Sequence, residues 1–306
     1  MTPLNHGFEY REVLGADAAG LTMLDYLTQC YPGFPREVWL DRIESGRVLL
    51  DGIPSMQSAI LRPGQHLSWL RPPWEEPEAP LSFAILYQDA DLLAVAKPGG
   101  LPTMPGGGGF MEHTLLSLVR RHFPGASPLH RLGRGTSGIV LFAATQEAAS
   151  KTLQAWRSGE ILKVYRALAT GHPVGDEFEV DTPIGPVPHS ILGTVHAASP
   201  FGKPAHSHIK VLERRDAGSL LQVRITTGRP HQIRIHLAAA GHPLVGDPLY
   251  VAGGVPAENS RALPGDPGYF LHHTILGFPH PASGKWTEIH CMPPSLLRLP
   301  SRSDAG

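Results

Sequence analysis

The stretch His130-Arg131-Leu132-Gly133-Arg134-Gly135-Thr136-Ser137-Gly138 decides how the rest of this chain is read. Its second half, Arg134 to Gly138, is built from turn-forming residues, so it reads as a loop. Arginine offers planar, bidentate donors suited to phosphate or carboxylate and a flat face that stacks on a base. No acidic partner is available nearby, because residues 113–146 contain neither Asp nor Glu.

Three further blocks surround this loop in order. The first is Leu92-Leu93-Ala94-Val95-Ala96-Lys97-Pro98-Gly99-Gly100-Leu101, and the second is Lys163-Val164-Tyr165-Arg166-Ala167-Leu168. The third, Thr227-Gly228-Arg229-Pro230-His231-Gln232-Ile233-Arg234-Ile235-His236-Leu237, runs on to Gly246-Asp247-Pro248-Leu249-Tyr250. In wording and order the four blocks resemble the pseudouridine synthases of the subfamily named for the RluA enzyme, across about residues 83–294. In that family the fourth loop position is the catalytic aspartate, and here it is Gly133. The same glycine-bearing wording resembles a subgroup found in plants and cyanobacteria.

The resemblance implies isomerisation of uridine to pseudouridine in structured RNA, ribosomal or transfer. The bond from sugar to base nitrogen is cleaved, the uracil turns, a ring carbon joins the sugar and that carbon loses a proton. There is no redox change, so no cofactor is implied. Such chemistry wants a carboxylate, a guanidinium to orient it and an aromatic ring against the extruded base. By resemblance Tyr165 is the active-site tyrosine and Arg234 is the residue that pairs with the missing aspartate. Arg131 holds the space of the extruded nucleotide or grips its phosphates, and His130, Arg134, Lys97 and Arg229 are further candidates for RNA contact. Lys97 reads equally well as a solvated lysine at a strand end. Asp247 is the first candidate for a substitute carboxylate, although an Asp in that setting is also an ordinary turn cap; Glu112 and Asp181 come after it. A second reading is a catalytically silent RNA-binding protein acting in RNA folding or ribosome assembly.

Composition sets the frame. A chain of 306 residues suggests two units, and 42% hydrophobic against 17% charged residues is enough for a sizeable core. The 34 glycines and 31 prolines, spread without a period, favour a turn-rich α+β protein over a helical bundle. No apolar run approaches the ~20 residues that span a bilayer, and no signal pattern opens the chain, so a cytoplasmic protein is expected. Cys30 and Cys291 cannot make a disulfide framework. The net charge of -1 is unevenly spread: residues 1–80 hold 6 basic and 11 acidic side chains, the remainder 20 and 16. An electrostatic footprint for RNA therefore belongs to the larger part, where arginine, 20 of the 26 basic residues overall, favours phosphate contact.

Leu21, Leu24 and Leu27 recur at helical spacing, a second short helix is expected over 35–44, and Arg47 to Leu50 enters a hairpin at Asp51-Gly52 with an apolar return ending at Trp69. This pattern resembles the small RNA-binding domain of ribosomal proteins, over about residues 11–72, with Arg36, Arg42 and Arg47 as candidate contacts; a helical-hairpin appendage without a nucleic-acid role is the other reading. The first domain is thus set at residues 1–72. Residues 73–80 read as a proline-rich extended linker, 81–300 as the catalytic domain with a mixed, mainly antiparallel sheet, and 301–306 as a tail. In the larger domain strands are expected near 83–87, 92–96, 162–169, 206–212, 220–226 and 287–292, and helices near 113–123, 145–157 and 230–240. The 17 histidines cluster at His206 with His208, His272-His273 and His231 with His236, but none has metal-ligand spacing, and no metal is expected.

Overall fold

Helical spacing of Leu24 and Leu27 becomes the buried face of α1 (Met23–Cys30) in the computed structural model of the chain, which describes residues 4–106 and 109–300. Thr22 caps α1 by accepting from the Asp25 amide at 3.2 Å, a contact typically worth about 1 kcal/mol. Pro35 opens α2 (Arg36–Glu44), whose Trp39 is fully buried among Met23, Leu27 and Trp69. Four strands lie beside the helices: β1 (Phe8–Val13), β2 (Val48–Leu50), β3 (Ile53–Pro54) and β4 (His66–Arg71), in the order β1-β4-β2-β3. The hairpin turn is Asp51-Gly52, both with positive φ, 52° and 81°, as a tight two-residue turn requires. Its direct return is only β3; the longer β4 pairs with the other side of β2 and with β1.

The chain divides into two compact units, Met1–Glu76 and Pro77–Gly306. The first half of the expected linker is part of the first unit. Asn5 donates to the Glu76 carboxylate at 2.7 Å, and the Trp74 amide donates to the Asn5 side chain at 3.0 Å. Glu76 is buried, so the boundary lies later than the proline content indicated. The tail 301–306 lies outside the described residues.

The larger unit is built on a ten-stranded sheet. Chain order runs β5 (Ala84–Gln88), β6 (Leu92–Lys97), α3 (Leu115–His122), β7 (Ser127–Pro128), β8 (Ser137–Ala143), α4 (Gln146–Arg157) and β9 (Leu162–Ala169). It continues with β10 (Glu177–Val180), the hairpin β11 (Ile184–His189) and β12 (Gly193–Ala198), then β13 (Ser207–Arg215), β14 (Gly218–Ile225) and α5 (Gln232–Ala239). A small hairpin, β15 (Tyr250–Val251) and β16 (Val255–Pro256), precedes β17 (Leu271–Pro279) and β18 (Trp286–His290). The main path is β10-β13-β14-β9-β17-β8-β6-β5, antiparallel except where β17 meets β8. At that junction Gly138 of β8, with φ 110°, passes so close to β17 that an added Cβ would stand 2.3 Å from the His273 carbonyl oxygen.

Side-chain alternation assigns the two faces of the sheet. Leu93, Val95, Val140, Phe142, Tyr165 and Ala167 face one core, which α3 and the Ile233 and Leu237 side of α5 cover. Leu92, Ala94, Ile139, Leu141 and Leu276 face the other, under α4. The opposite side of α5, Ile235 and Ala238, packs on Ile184 and Tyr250. Helix α5 is therefore wedged in place on both sides, and every one of its residues from Gln232 to Ala238 is buried.

Candidate active site

The loop between β7 and β8 is pinned from below. Thr103 donates its hydroxyl to the Leu132 carbonyl at 2.9 Å and accepts from the Leu132 amide at 3.2 Å. Lys97, at the end of β6, donates to the carbonyls of Pro98 (2.9 Å), Leu101 (2.7 Å) and Arg134 (3.2 Å). Its side chain is 1% exposed, so Lys97 is a strut beneath the loop and not a phosphate contact. Burial draws its ammonium down to about 7. Because the folded value lies below the ordinary 10.5, the unfolded chain binds more protons between those two values, and stability rises with pH across that window. Lys163, drawn down to about 8 by burial, acts in the same direction. Urea midpoints should climb from pH 7 to pH 9.5, with a shallower climb in Lys97→Met; an unchanged slope in that variant would place the charge penalty elsewhere.

Above this support Arg131 is exposed and makes no hydrogen bond or ion pair to any described residue. Its charge reaches His231, which burial and then the Arg234 and Arg131 charges hold down at about 4. His231 sits at the start of α5 with φ 54° and ψ 22°, a left-handed conformation uncommon outside glycine and concentrated at functional sites. The Tyr250 hydroxyl donates to the His196 carbonyl at 2.7 Å, so the 2.8 Å contact to His231 Nδ1 is one in which the imidazole donates. Three residues on, Arg234 is 2% exposed and makes a bidentate pair with Asp247, Nε to Oδ2 and Nη2 to Oδ1, each 2.7 Å. It also donates to the Pro264 carbonyl at 2.6 Å and lies over the rings of Tyr250 and Tyr269 at 4.8 and 4.3 Å.

Tyr165 comes from β9 on the same face. Its ring stacks on His273 at 4.4 Å and 14°, and its hydroxyl makes no hydrogen bond to any described residue. Burial pushes the ionisation of that hydroxyl upward. His273, held down at about 4 chiefly by burial, donates Nδ1 to the Ile139 carbonyl at 2.9 Å, while its Nε2 is buried without a partner. Leu132, Tyr165, Ile233 and Tyr269 belong to one apolar core, so the segments bearing Arg131, Gly133, Tyr165 and Arg234 all pack on it. Gly133 itself faces Tyr269: a Cβ there would stand 3.1 Å from the Tyr269 hydroxyl and 3.7 Å from Thr136 Oγ1.

Other expected site residues are placed differently. His130 accepts from the Leu141 amide at 3.1 Å and packs on Trp156 at 5.0 Å, so it holds the loop and not RNA. Arg134 pairs with Asp266 at 2.8 Å and donates to the Gly265 carbonyl at 3.3 Å. Arg229 donates to the Pro204 carbonyl at 2.9 Å and remains partly exposed. Asp247, the first candidate for a substitute carboxylate, is spent: beyond Arg234 its Oδ1 accepts from the amides of Leu249 (2.9 Å) and Tyr250 (3.0 Å), and its side chain is 1% exposed. A carboxylate clamped by Arg234, with three donors on Oδ1 and a side chain 1% exposed, has no room to meet a sugar carbon. Asp181 pairs with His206, and Glu112 precedes the Thr114 cap of α3.

In the first unit, Arg36 pairs with Asp25 at 2.8 Å on the surface. Arg42 lies over Phe34, Trp39 and Trp69 at 4.0, 4.6 and 4.3 Å, where cation–π contact uses its charge locally. The histidine groupings are also occupied: His272 contacts Ser137 Oγ at 2.8 Å and His236 contacts Ser207 Oγ at 2.9 Å. Sequence reading missed Tyr269, His231 as a strained cap, and His273 beneath Tyr165.

The larger unit thus carries a buried arginine on α5, a tyrosine on β9 and an exposed arginine on the loop before β8. Residues 91–239 match the family described as RNA pseudouridylate synthase. An uncharacterised RNA pseudouridine synthase of Synechocystis is 42% identical, over 90% of this chain and 95% of the relative. Ribosomal large subunit pseudouridine synthase D of Yersinia pestis is 36% identical, over 74% and 71%. Human RNA pseudouridylate synthase domain containing 1 superposes with a TM-score of 0.57 at 25% identity, covering 75% of this chain and 95% of that one. The chain belongs to the RNA pseudouridylate synthase family.

Proposed function

We propose that this protein isomerises uridine to pseudouridine in structured RNA, in the cytoplasm. What supports the reading is that the loop bearing exposed Arg131, the strand bearing Tyr165 and the helix bearing Arg234 all pack on one apolar core. Arg131 enters the space left by the target nucleotide or holds its phosphate, the exposed part of Tyr165 meets the uracil, and Arg234 fixes the floor through Asp247. No helix among the described residues is long and apolar enough to cross a membrane. Ribosomal RNA is the first substrate to test, since it is the substrate class in the name of the Yersinia relative; transfer RNA is the second. The first unit, with Arg36 and Arg47 on its surface, is proposed as an accessory RNA contact.

The second reading, an RNA-binding protein without catalysis, has one observation in its favour: Gly133 has no carboxylate, and Asp247 is locked to Arg234. The two readings separate on chemistry. Purified protein is incubated with total RNA from a strain lacking its gene, and pseudouridine is mapped by nucleotide. At least one restored site is expected; retained RNA binding with no restored site would transfer the case to the silent reading.

A further inference from the structure

One segment of the larger unit brings an acid to the loop that lacks one at Gly133. Residues 264–269 run along the loop and connect its parts. The Pro264 carbonyl accepts from Arg234 at 2.6 Å, the Gly265 carbonyl and Asp266 accept from Arg134, and the Tyr269 hydroxyl meets Thr136 Oγ1 at 3.2 Å. The loop glycines are the complement of this segment. A Cβ on Gly135 would stand 2.9 Å from the Tyr269 ring and 3.0 Å from Pro267 Cα, and one on Gly133 would crowd the Tyr269 hydroxyl. Neither Gly133 nor Gly135 has a positive φ, so the absence of side chains there answers to space and not to backbone conformation. The segment that takes the space of a side chain at the loop also brings a carboxylate.

We propose that Asp266 is the catalytic carboxylate of this site, supplied from the segment that packs against Gly133; the proposal rests on the isomerase reading above. Asp266 differs from Asp247 in the property that matters. Its Oδ1 accepts from Arg134 at 2.8 Å and its Oδ2 from the Leu263 amide at 2.8 Å, leaving a lone pair open on each oxygen, and its side chain is 34% exposed. Arg134 orients it as the guanidinium of such a site should. One oxygen bonds to the ribose C1′ as the bond from C1′ to N1 breaks, and that electron pair leaves on the uracil. After the base turns, C5 supplies the pair for its bond to C1′ and the carboxylate departs. The C5 proton is then lost and N1 gains one, so atoms and charge balance with nothing oxidised or reduced.

The test compares full-length wild type, Asp266→Asn and Arg134→Gln on a restored site, with melting curves for each. Asp266→Asn should fold and lose activity by on the order of 10³ or more. Arg134→Gln, which loosens the same segment but keeps the acid, should lose clearly less. Adding Gly133→Asp with Tyr269→Phe, which removes the crowding hydroxyl, should return activity to Asp266→Asn. If Asp266→Asn unfolds, Asp266→Glu replaces it, keeping charge and pairing while displacing the oxygens, with activity expected to fall and stability to hold. Activity of Asp266→Asn within about threefold of wild type, or equal losses in the Asn and Gln variants, would overturn the proposal and leave the isomerase reading standing. A wild type that restores no site would overturn both.

Discussion

Asp247→Ala is expected to cost the larger unit about 3–5 kcal/mol of stability, because removing one member of a buried ion pair leaves the other charged and unsolvated. The geometry makes this a severe case. Arg234 is 2% exposed and points both Nε and Nη2 at the carboxylate. A planar guanidinium with almost no access to water has only the Pro264 carbonyl and the faces of Tyr250 and Tyr269 left to it. The amides of Leu249 and Tyr250 lose their acceptor in the same variant. Asp247→Asn should be nearly as costly, since it keeps the shape but not the charge. The double variant Arg234→Met with Asp247→Leu should recover most of the loss, because replacing a whole buried pair with apolar groups is often close to neutral. Guanidinium unfolding of the four proteins measures this. A loss under about 1 kcal/mol in Asp247→Ala would mean that the pair behaves like a surface one and that Asp247 could be free for chemistry after all.

That result bears on how far residue order alone could be read. Elements with an amphipathic period or a clear apolar run were legible: α4 begins after Thr145, which accepts from the Ala148 amide at 3.1 Å, and β9 has the bounds its apolar run indicated. The central strands β8 and β17 were not. β8 is buried on both faces, with Gly138 to Ala143 all inaccessible, so it has no alternation to read. β17 carries His272-His273 and Gly277 inside an otherwise apolar run, and two histidines look polar until His272 is seen against Ser137 and His273 against the Ile139 carbonyl. Local pattern cannot show a partner more than 130 residues away. The same limit explains Lys97 and Asp247. Each was a polar residue next to a motif, and only the fold shows that their donors and acceptors are spent inside it. Arg131 and Tyr165 came from the resemblance and not from local pattern. Tyr269 was not, since its importance lies in occupying the space that Gly133 leaves.

Tyr165→Phe should separate binding from chemistry more cleanly than any other change at this site. The phenyl ring keeps its stacking on His273 at 4.4 Å, and the lost hydroxyl makes no hydrogen bond to a described residue. Stability should therefore move by no more than about 0.5 kcal/mol. The uracil still meets an aromatic ring, so KM should stay within about threefold of wild type. The turnover step has no such substitute. Burial raises the hydroxyl's ionisation, so at neutral pH it is intact: its oxygen takes the C5 proton as its own passes to solvent water, a relay that phenylalanine cannot perform. General acid–base groups contribute roughly 10²–10⁴-fold, and kcat should fall by that much with a folded protein and RNA still bound. His273, neutral and held by the Ile139 carbonyl, fixes the ring from below, so His273→Ala should disturb KM and kcat together where Tyr165→Phe disturbs kcat alone. A Tyr165→Phe variant with wild-type turnover would reduce this tyrosine to a platform and send the proton to another group, with His231, strained and neutral beside Arg131, the next residue to replace.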